Sequence, residues 1–156
     1  MSDLEMLYQQ VILDHSRERI GEGTIPEDID ATSFQVNPTC GDEVTLGVKV
    51  KDGELVDFMW EGDGCSISQA SISVMSEMIE DKSISEISQL YHDFETMMHS
   101  RGKGVSEDLL DRLEDGAAFE GTAKFPNRIK CSLLGWYALR DALAKAGIAL
   151  EEKNNE

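Results

Sequence analysis

Alternating apolar and polar residues around Asp52-Gly53 are the feature that most restricts how this chain can fold. Apolar residues occupy every second position on both sides of this dipeptide: Val44, Leu46, Val48 and Val50 before it, and Val56, Phe58 and Trp60 after it. A period of two is typical of a half-buried strand, and Asp-Gly favours a two-residue hairpin turn. Phe34 and Val36 alternate with polar neighbours in the same way. The pattern predicts a three-stranded antiparallel sheet with one apolar face that other elements of the fold must bury.

Helical patterns occupy most of the remaining chain. Capping boxes of the form Ser-x-x-Glu or Ser-x-x-Gln begin at Ser2, Ser66 and Ser83. Helices are therefore predicted from each of these residues, the first of them ending near Ser16. A short helix is predicted over about 106–114 and a last one over about 131–146. The expected fold class is α+β, with several helices packed against the small sheet.

The chain has 156 residues and a mass of 17.3 kDa, which suits one compact domain. We expect a single domain over 1–150 and a charged tail over 151–156. The longest apolar runs are only a few residues, so no membrane-spanning segment is expected. The sequence MSDLEMLYQQ lacks the basic and apolar regions of a secretory signal, which favours a cytoplasmic protein.

The charge of the chain argues against two classes of partner. Fourteen basic residues against 31 acidic ones give a formal net charge of −17. Such a surface repels nucleic-acid phosphates and anionic lipids, so binding to nucleic acid or to a membrane is disfavoured. Most of these carboxylates serve solubility, and a protein partner with a basic patch is the remaining option.

Three cysteines cannot all form disulfides with one another, which favours a reducing compartment and thiols used for metal binding or chemistry. Cys40 lies in a loop between two predicted strands. Cys65 and Cys131 lie near the starts of predicted helices, where free amide groups and the helix dipole stabilise a thiolate.

Asp42 follows Cys40 with only Gly41 between them, so both side chains could point to one centre. Three thiolates and one carboxylate are a plausible tetrahedral zinc site. The carboxylate is the harder ligand, so a labile site is expected. On spacing alone, the cysteines could equally be small buried apolar residues. The histidines, His15, His92 and His99, are interpreted as surface or packing residues.

Three segments of the chain resemble the signature segments of the IscU/SufU family. They are Asn37-Pro38-x-Cys40-Gly41-Asp42, Gly64-Cys65-x-Ile67-Ser68-x-Ala70-Ser71 and Phe125-Pro126-x-Arg128-Ile129-Lys130-Cys131. The resemblance extends from the first helix to about Gly147. It implies a protein of iron–sulfur cluster biogenesis.

Three departures from the IscU branch indicate the SufU-type branch. The IscU branch carries a metal-binding histidine directly before its third cysteine, whereas this chain has Lys130. The IscU branch also carries a Leu-Pro-Pro-Val-Lys segment for a chaperone, and residues 124–129 differ from it. The interval from Cys65 to Cys131 is long, which is consistent with the SufU insertion, placed at about 101–119.

The resemblance implies that Cys40, Asp42, Cys65 and Cys131 bind zinc and that Cys40 accepts sulfur. Arg128 corresponds to an arginine that influences metal release, although a surface side chain paired with carboxylates is an equal interpretation. The implied partners are a SufS-type cysteine desulfurase dependent on pyridoxal phosphate and a downstream Suf assembly complex. The implied function is zinc-dependent transfer of persulfide sulfur.

Two other functions remain open at this point. The same four residues could hold transient iron or a [2Fe–2S] cluster, which would make the protein an assembly scaffold. Alternatively, zinc could be purely structural in an adaptor domain. The adaptor hypothesis predicts equal importance of all four ligands for folding and no special role for Cys40.

Overall fold

A computed structural model describes residues 2–150 of the chain. Five α-helices, three strands and one 3-10 helix follow one another along it. In chain order they are α1 (Asp3–Glu18), β1 (Ala31–Asn37), β2 (Asp42–Lys51), β3 (Glu54–Asp63), α2 (Ser66–Ile79), α3 (Ile84–His99), α4 (Glu107–Leu113), the 3-10 helix (Glu114–Lys124) and α5 (Pro126–Lys145).

The predicted three-stranded antiparallel sheet is confirmed, with strand order β1-β2-β3. Asp52 and Gly53 form the tight turn between β2 and β3, with φ angles of 54° and 79°. Positive φ at both turn positions gives a backbone twist that matches the flanking strands. The α+β class expected from the sequence is therefore correct.

Strand β1 is where predicted, but its faces differ from a simple apolar-inside pattern. Phe34 and Val36 are exposed by 59% and 49%, whereas Ser33 and Asn37 are buried. The buried polar residues have partners on α5, because the Ser33 hydroxyl donates to Asp141 and the Asn37 amide donates to Cys131. Hydrogen bonding to α5, and not hydrophobicity, therefore fixes which face of β1 turns inward.

Two helix starts differ from the prediction. The capping boxes at Ser2 and Ser83 are confirmed, but α2 has Cys65 as its N-cap residue, without a side-chain cap. Helix α5 begins at Pro126, five residues before the predicted start. Proline fits the first helical turn because it needs no hydrogen-bond partner for its nitrogen. The short helix that follows Ser106 is confirmed.

Helix α2 lies at the centre of the molecule, and its small side chains allow close packing. Its buried residues include four serines, Ser68, Ser71, Ser73 and Ser76. Ile72 packs directly on Gly135 of α5, where an added Cβ would lie 2.9 Å from the Cβ of Ile72. Trp136 of α5 is also buried, and it stacks on Phe94 of α3 at 5.2 Å between ring centroids. The core thus lies between the sheet, α2, α3 and α5.

None of the helices within residues 2–150 is both long and apolar enough to cross a membrane. The predicted charged tail over 151–156 lies outside the described residues. The assignment of 1–150 as one domain stays a prediction.

We predict that Gly135→Ala lowers the free energy of unfolding by about 1–3 kcal/mol, because the new methyl group overlaps the side chain of Ile72. Urea denaturation followed by circular dichroism measures the effect. Gly121→Ala is the matched control, since nothing lies within 4 Å of a Cβ at that position. Equal stability of the two variants would contradict the close packing of α2 on α5.

Candidate metal centre

Cys40 is presented by the short connection between β1 and β2. Asn37 and Asp42 are directly paired across the two strands, so residues 38–41 form a tight loop. The Cys40 amide donates to the Asn37 carbonyl at 3.2 Å, and Gly41 takes a φ of 69°. Glycine adopts that left-handed conformation without strain. The loop leaves Cys40 half-buried at the surface of the molecule.

Asp42 is buried with an exposure of 1% and connects the sheet to α2. Its Oδ1 accepts the Cys65 backbone N–H at 2.7 Å, and its Oδ2 lies 3.7 Å from Cys65 Sγ. A carboxylate at this position satisfies a free amide and interacts favourably with the dipole of α2. Gly64 permits this approach, because a Cβ there would clash with the same carboxylate.

Cys131 lies in the second turn of α5 and is buried. Its Sγ lies 3.6 Å from Cys40 Sγ and accepts a hydrogen bond from the Asn37 amide at 3.4 Å. Burial, together with hydrogen bonding to Asp42 and the other two cysteines, raises the pKa of the Cys131 thiol. The expectation that a helix start stabilises this thiolate is therefore wrong, because α5 begins five residues earlier.

The structure brings all four predicted ligand residues together. One donor atom from each of Cys40, Asp42 and Cys131 lies within 4.8 Å of the other two. Cys65 adjoins this group through its 3.7 Å contact with Asp42. Sulfur atoms that share one tetrahedral zinc ion are separated by about 3.8 Å, given Zn–S bonds of about 2.3 Å. The 3.6 Å between the Cys40 and Cys131 sulfurs is close to this separation.

The chemistry of this donor set also fits a zinc ion. Three thiols and a carboxylate cannot all ionise at close range in a partly buried site without a cation. Burial, together with hydrogen bonds to the neighbouring acidic groups, accordingly raises the pKa of Cys131. A divalent ion would offset the negative charge and favour the thiolates, so metal binding and deprotonation are coupled here.

Arg128 and Lys130 lie on the exposed side of α5. The Arg128 guanidinium lies 4.7 Å from the centroid of the Phe125 ring, and within residues 2–150 it forms no ion pair. The suggested pairing with surface carboxylates is thus replaced by stacking on an aromatic ring. An influence of Arg128 on metal release stays a prediction.

Two asparagines contact the thiols and were not singled out from the sequence. Asn37 donates to Cys131, as described above, and Asn127 donates its Nδ2–H to Cys40 Sγ at 2.9 Å. Asn37 could have been found, because it stands in the first signature segment. Asn127 gave no sequence signal, because its contact depends on how α5 meets the Cys40 loop.

His15 is buried, in agreement with the interpretation as a packing residue. Its Nδ1 lies 2.9 Å from the Ser73 hydroxyl, and its Nε2 lies 3.5 Å from Glu77 and 3.6 Å from Asp115. This group has the donor types of a metal site. The two carboxylates that face Nε2, those of Glu77 and Asp115, are about half exposed to solvent.

Together the small α+β fold and the cluster of three thiols with a carboxylate define a class of small domains with a candidate metal centre. The chain belongs to the family of NifU-like N-terminal domains, whose model matches residues 7–132. The resemblance to the IscU/SufU family is thereby confirmed.

Several relatives are similar over almost the whole chain. The "Zinc-dependent sulfurtransferase SufU" of Bacillus subtilis is 41% identical and is covered to 94%, with 92% of this chain. The "Iron-sulfur cluster assembly scaffold protein IscU" of Streptococcus pyogenes is 36% identical and is covered to 90%, with 96% of this chain.

One similar solved structure is that of a candidate cluster-assembly scaffold protein for the SUF system from Fervidobacterium islandicum. It has a TM-score of 0.75 and 37% identity, and the match covers 89% of this chain and 98% of the other.

We predict that Asp42→Asn and Asp42→Ala both weaken zinc binding, but that only Asp42→Ala destabilises the zinc-free protein. An asparagine oxygen can still accept the Cys65 N–H, whereas alanine removes that hydrogen bond at a cost of about 1 kcal/mol. Chelator competition measures zinc affinity, and urea denaturation of the zinc-free variants measures stability. Unchanged zinc affinity in Asp42→Asn would show that this carboxylate is not a ligand.

Proposed function

We propose that this protein is a zinc-dependent sulfur acceptor that takes persulfide sulfur from a cysteine desulfurase for iron–sulfur cluster assembly. The supporting observation is the difference in access between two adjacent thiols. Cys40 is half-buried at the tip of a surface loop, whereas Cys131, at 3.6 Å, is buried. A macromolecular donor can reach only a thiol that faces solvent, which excludes the buried Cys131. Cys65 is also partly exposed, and we propose Cys40 as the acceptor because the family resemblance implies this role for it.

The proposed ligands of the zinc ion are Cys40, Asp42, Cys65 and Cys131. Zinc, when bound, would supply the positive charge that keeps the thiols ionised. Asp42 and Cys65 are held together by the capping hydrogen bond at the start of α2. Lys130 cannot bind a metal ion as an ammonium group, and its side chain lies on the exposed side of α5.

The proposed chemical step is a thiol exchange at the outer sulfur of the donor persulfide. The Cys40 thiolate attacks that sulfur and forms a new S–S bond. The S–S bond of the donor breaks, and the desulfurase cysteine leaves as a thiolate. Cys40 then carries the persulfide, and no oxidant or reductant is needed for this step.

The similarity to the sulfurtransferase of Bacillus subtilis supports this function over nearly the whole chain. The partner we propose is a SufS-type desulfurase that contains pyridoxal phosphate. A Suf assembly complex that receives the sulfur downstream and a cytoplasmic location also belong to this proposal.

We predict that Cys40→Ala abolishes sulfur acceptance, since it removes the attacking atom. The variant and the wild type are incubated with the desulfurase and cysteine, and protein-bound persulfide is located by mass spectrometry of alkylated peptides. Lys130→Ala is the control and should retain both zinc and sulfur acceptance. Persulfide on the Cys40→Ala protein would contradict the assignment of the acceptor.

A second measurement tests the proposed partnership directly. Sulfide release by the cognate desulfurase under reducing conditions should rise strongly when the zinc-loaded protein is added. The increase should disappear with Cys40→Ala. Absence of stimulation by the wild type would favour the scaffold function instead.

The scaffold function is the second candidate, because relatives named as scaffold proteins are also similar over most of the chain. The three thiols and Asp42 could hold the irons of a [2Fe–2S] cluster as cargo. Anaerobic reconstitution followed by stoichiometric cluster transfer to an apo-ferredoxin would support this candidate. The sulfur-acceptor proposal predicts that such transfer is negligible.

A further inference from the structure

Two asparagine side chains contact the thiols of the site in a crosswise manner. Asn37, which precedes the Cys40 loop, donates to Cys131 of α5 at 3.4 Å. Asn127, in the first turn of α5, donates to Cys40 of the loop at 2.9 Å. Each element that supplies one of these cysteines therefore also supplies a hydrogen-bond donor to the cysteine of the other element.

The two amides differ in their freedom to move. Asn37 has an exposure of 4% and is the last residue of β1, with its side chain against α5, so it cannot leave Cys131 without disrupting the packing. Asn127 is exposed to solvent and contacts Cys40 from outside the site. Rotation of its side chain would uncover the Cys40 sulfur without moving the backbone of either element.

Capping of α5 does not account for the position of Asn127. Asparagine near a helix start often caps free backbone amides through its side-chain oxygen. Helix α5, however, has Phe125 as its N-cap residue and no side-chain cap hydrogen bond. The Asn127 contact that the structure describes is the N–H donation to sulfur.

An amide donor at a thiolate has two physical effects. It stabilises negative charge on the sulfur, and it lowers the energy of the sulfur lone pairs that would attack an electrophile. An amide donor that can rotate away therefore lowers the nucleophilicity of the sulfur until a partner protein displaces the amide.

We propose that Asn127 is a positioning residue for Cys40: its amide holds the Cys40 sulfur beside Cys131 from the exposed side of the site until a sulfur donor displaces it. This inference rests on the proposed function, because Cys40 is the acceptor in it. In this proposal Asn127 neither accepts the transferred sulfur nor serves as a metal ligand.

The test measures the Cys40 sulfur in the loaded protein by two methods other than sulfur transfer. In the cobalt(II)-substituted protein, Asn127→Ala should shift the thiolate-to-cobalt charge-transfer bands to longer wavelength, because the lone pairs rise in energy. In the zinc-loaded protein, the same change should make alkylation of Cys40 by iodoacetamide roughly fivefold faster, as expected for the loss of one hydrogen bond.

Matched variants separate hydrogen bonding from shape. Asn127→Leu keeps a similar size without a donor and should behave like Asn127→Ala. Asn127→Gln keeps the amide and should restore the bands and the alkylation rate toward those of the wild type. Lys130→Ala, also on the exposed side of α5, should change neither.

Wild-type bands and alkylation rates in Asn127→Ala would overturn the proposal, and so would loss of cobalt binding, which would indicate a merely structural role. Failure of the wild type to accept sulfur would instead refute the proposed function. The two failures are distinguishable, because the cobalt bands and the alkylation rate do not depend on the desulfurase.

Discussion

The hydrogen bond from the Cys65 amide to Asp42 is the interaction on which the arrangement of this molecule depends. It joins the first residue of β2 to the start of α2, the helix at the centre of the core. A buried carboxylate without a partner would be costly, so the backbone amide and the helix dipole are what permit Asp42 to be buried. The same contact places a carboxylate beside Cys65. One interaction thus connects the start of β2 to the start of α2 and positions two of the four proposed metal ligands.

The other half of the site depends on how β1 and α5 meet. Asn37 faces inward on β1 because Cys131 of α5 accepts its amide, and this orientation turns Phe34 outward. The Cys40 loop begins directly after Asn37, so the register of β1 against β2 also sets the distance of 3.6 Å between the two sulfurs. A polar strand face that points inward is unfavourable by hydrophobicity alone, and hydrogen bonds to α5 make it stable.

Access and burial divide the roles of the thiols within the proposed function. Burial raises the pKa of Cys131, which makes it a poor nucleophile in the absence of a metal ion. Cys40 lies on a surface loop, and its sulfur contacts Cys131 and the exposed amide of Asn127. A thiol that is held by its neighbours but faces solvent suits exchange with another protein. The partial exposure of Cys40 is consistent with the role that we propose for it.

The sequence by itself determined the strands, the turn at Asp52-Gly53 and the capping boxes at Ser2 and Ser83, because these depend on local periodicity and local hydrogen bonds. It also determined which four residues form the cluster, through the resemblance of three ordered segments. Tertiary structure decided the inward face of β1 and the contact of Asn127 with Cys40. These features depend on partners about 90 residues away along the chain. No local pattern encodes such a distance, because only the packing of α5 on the sheet brings the two segments together.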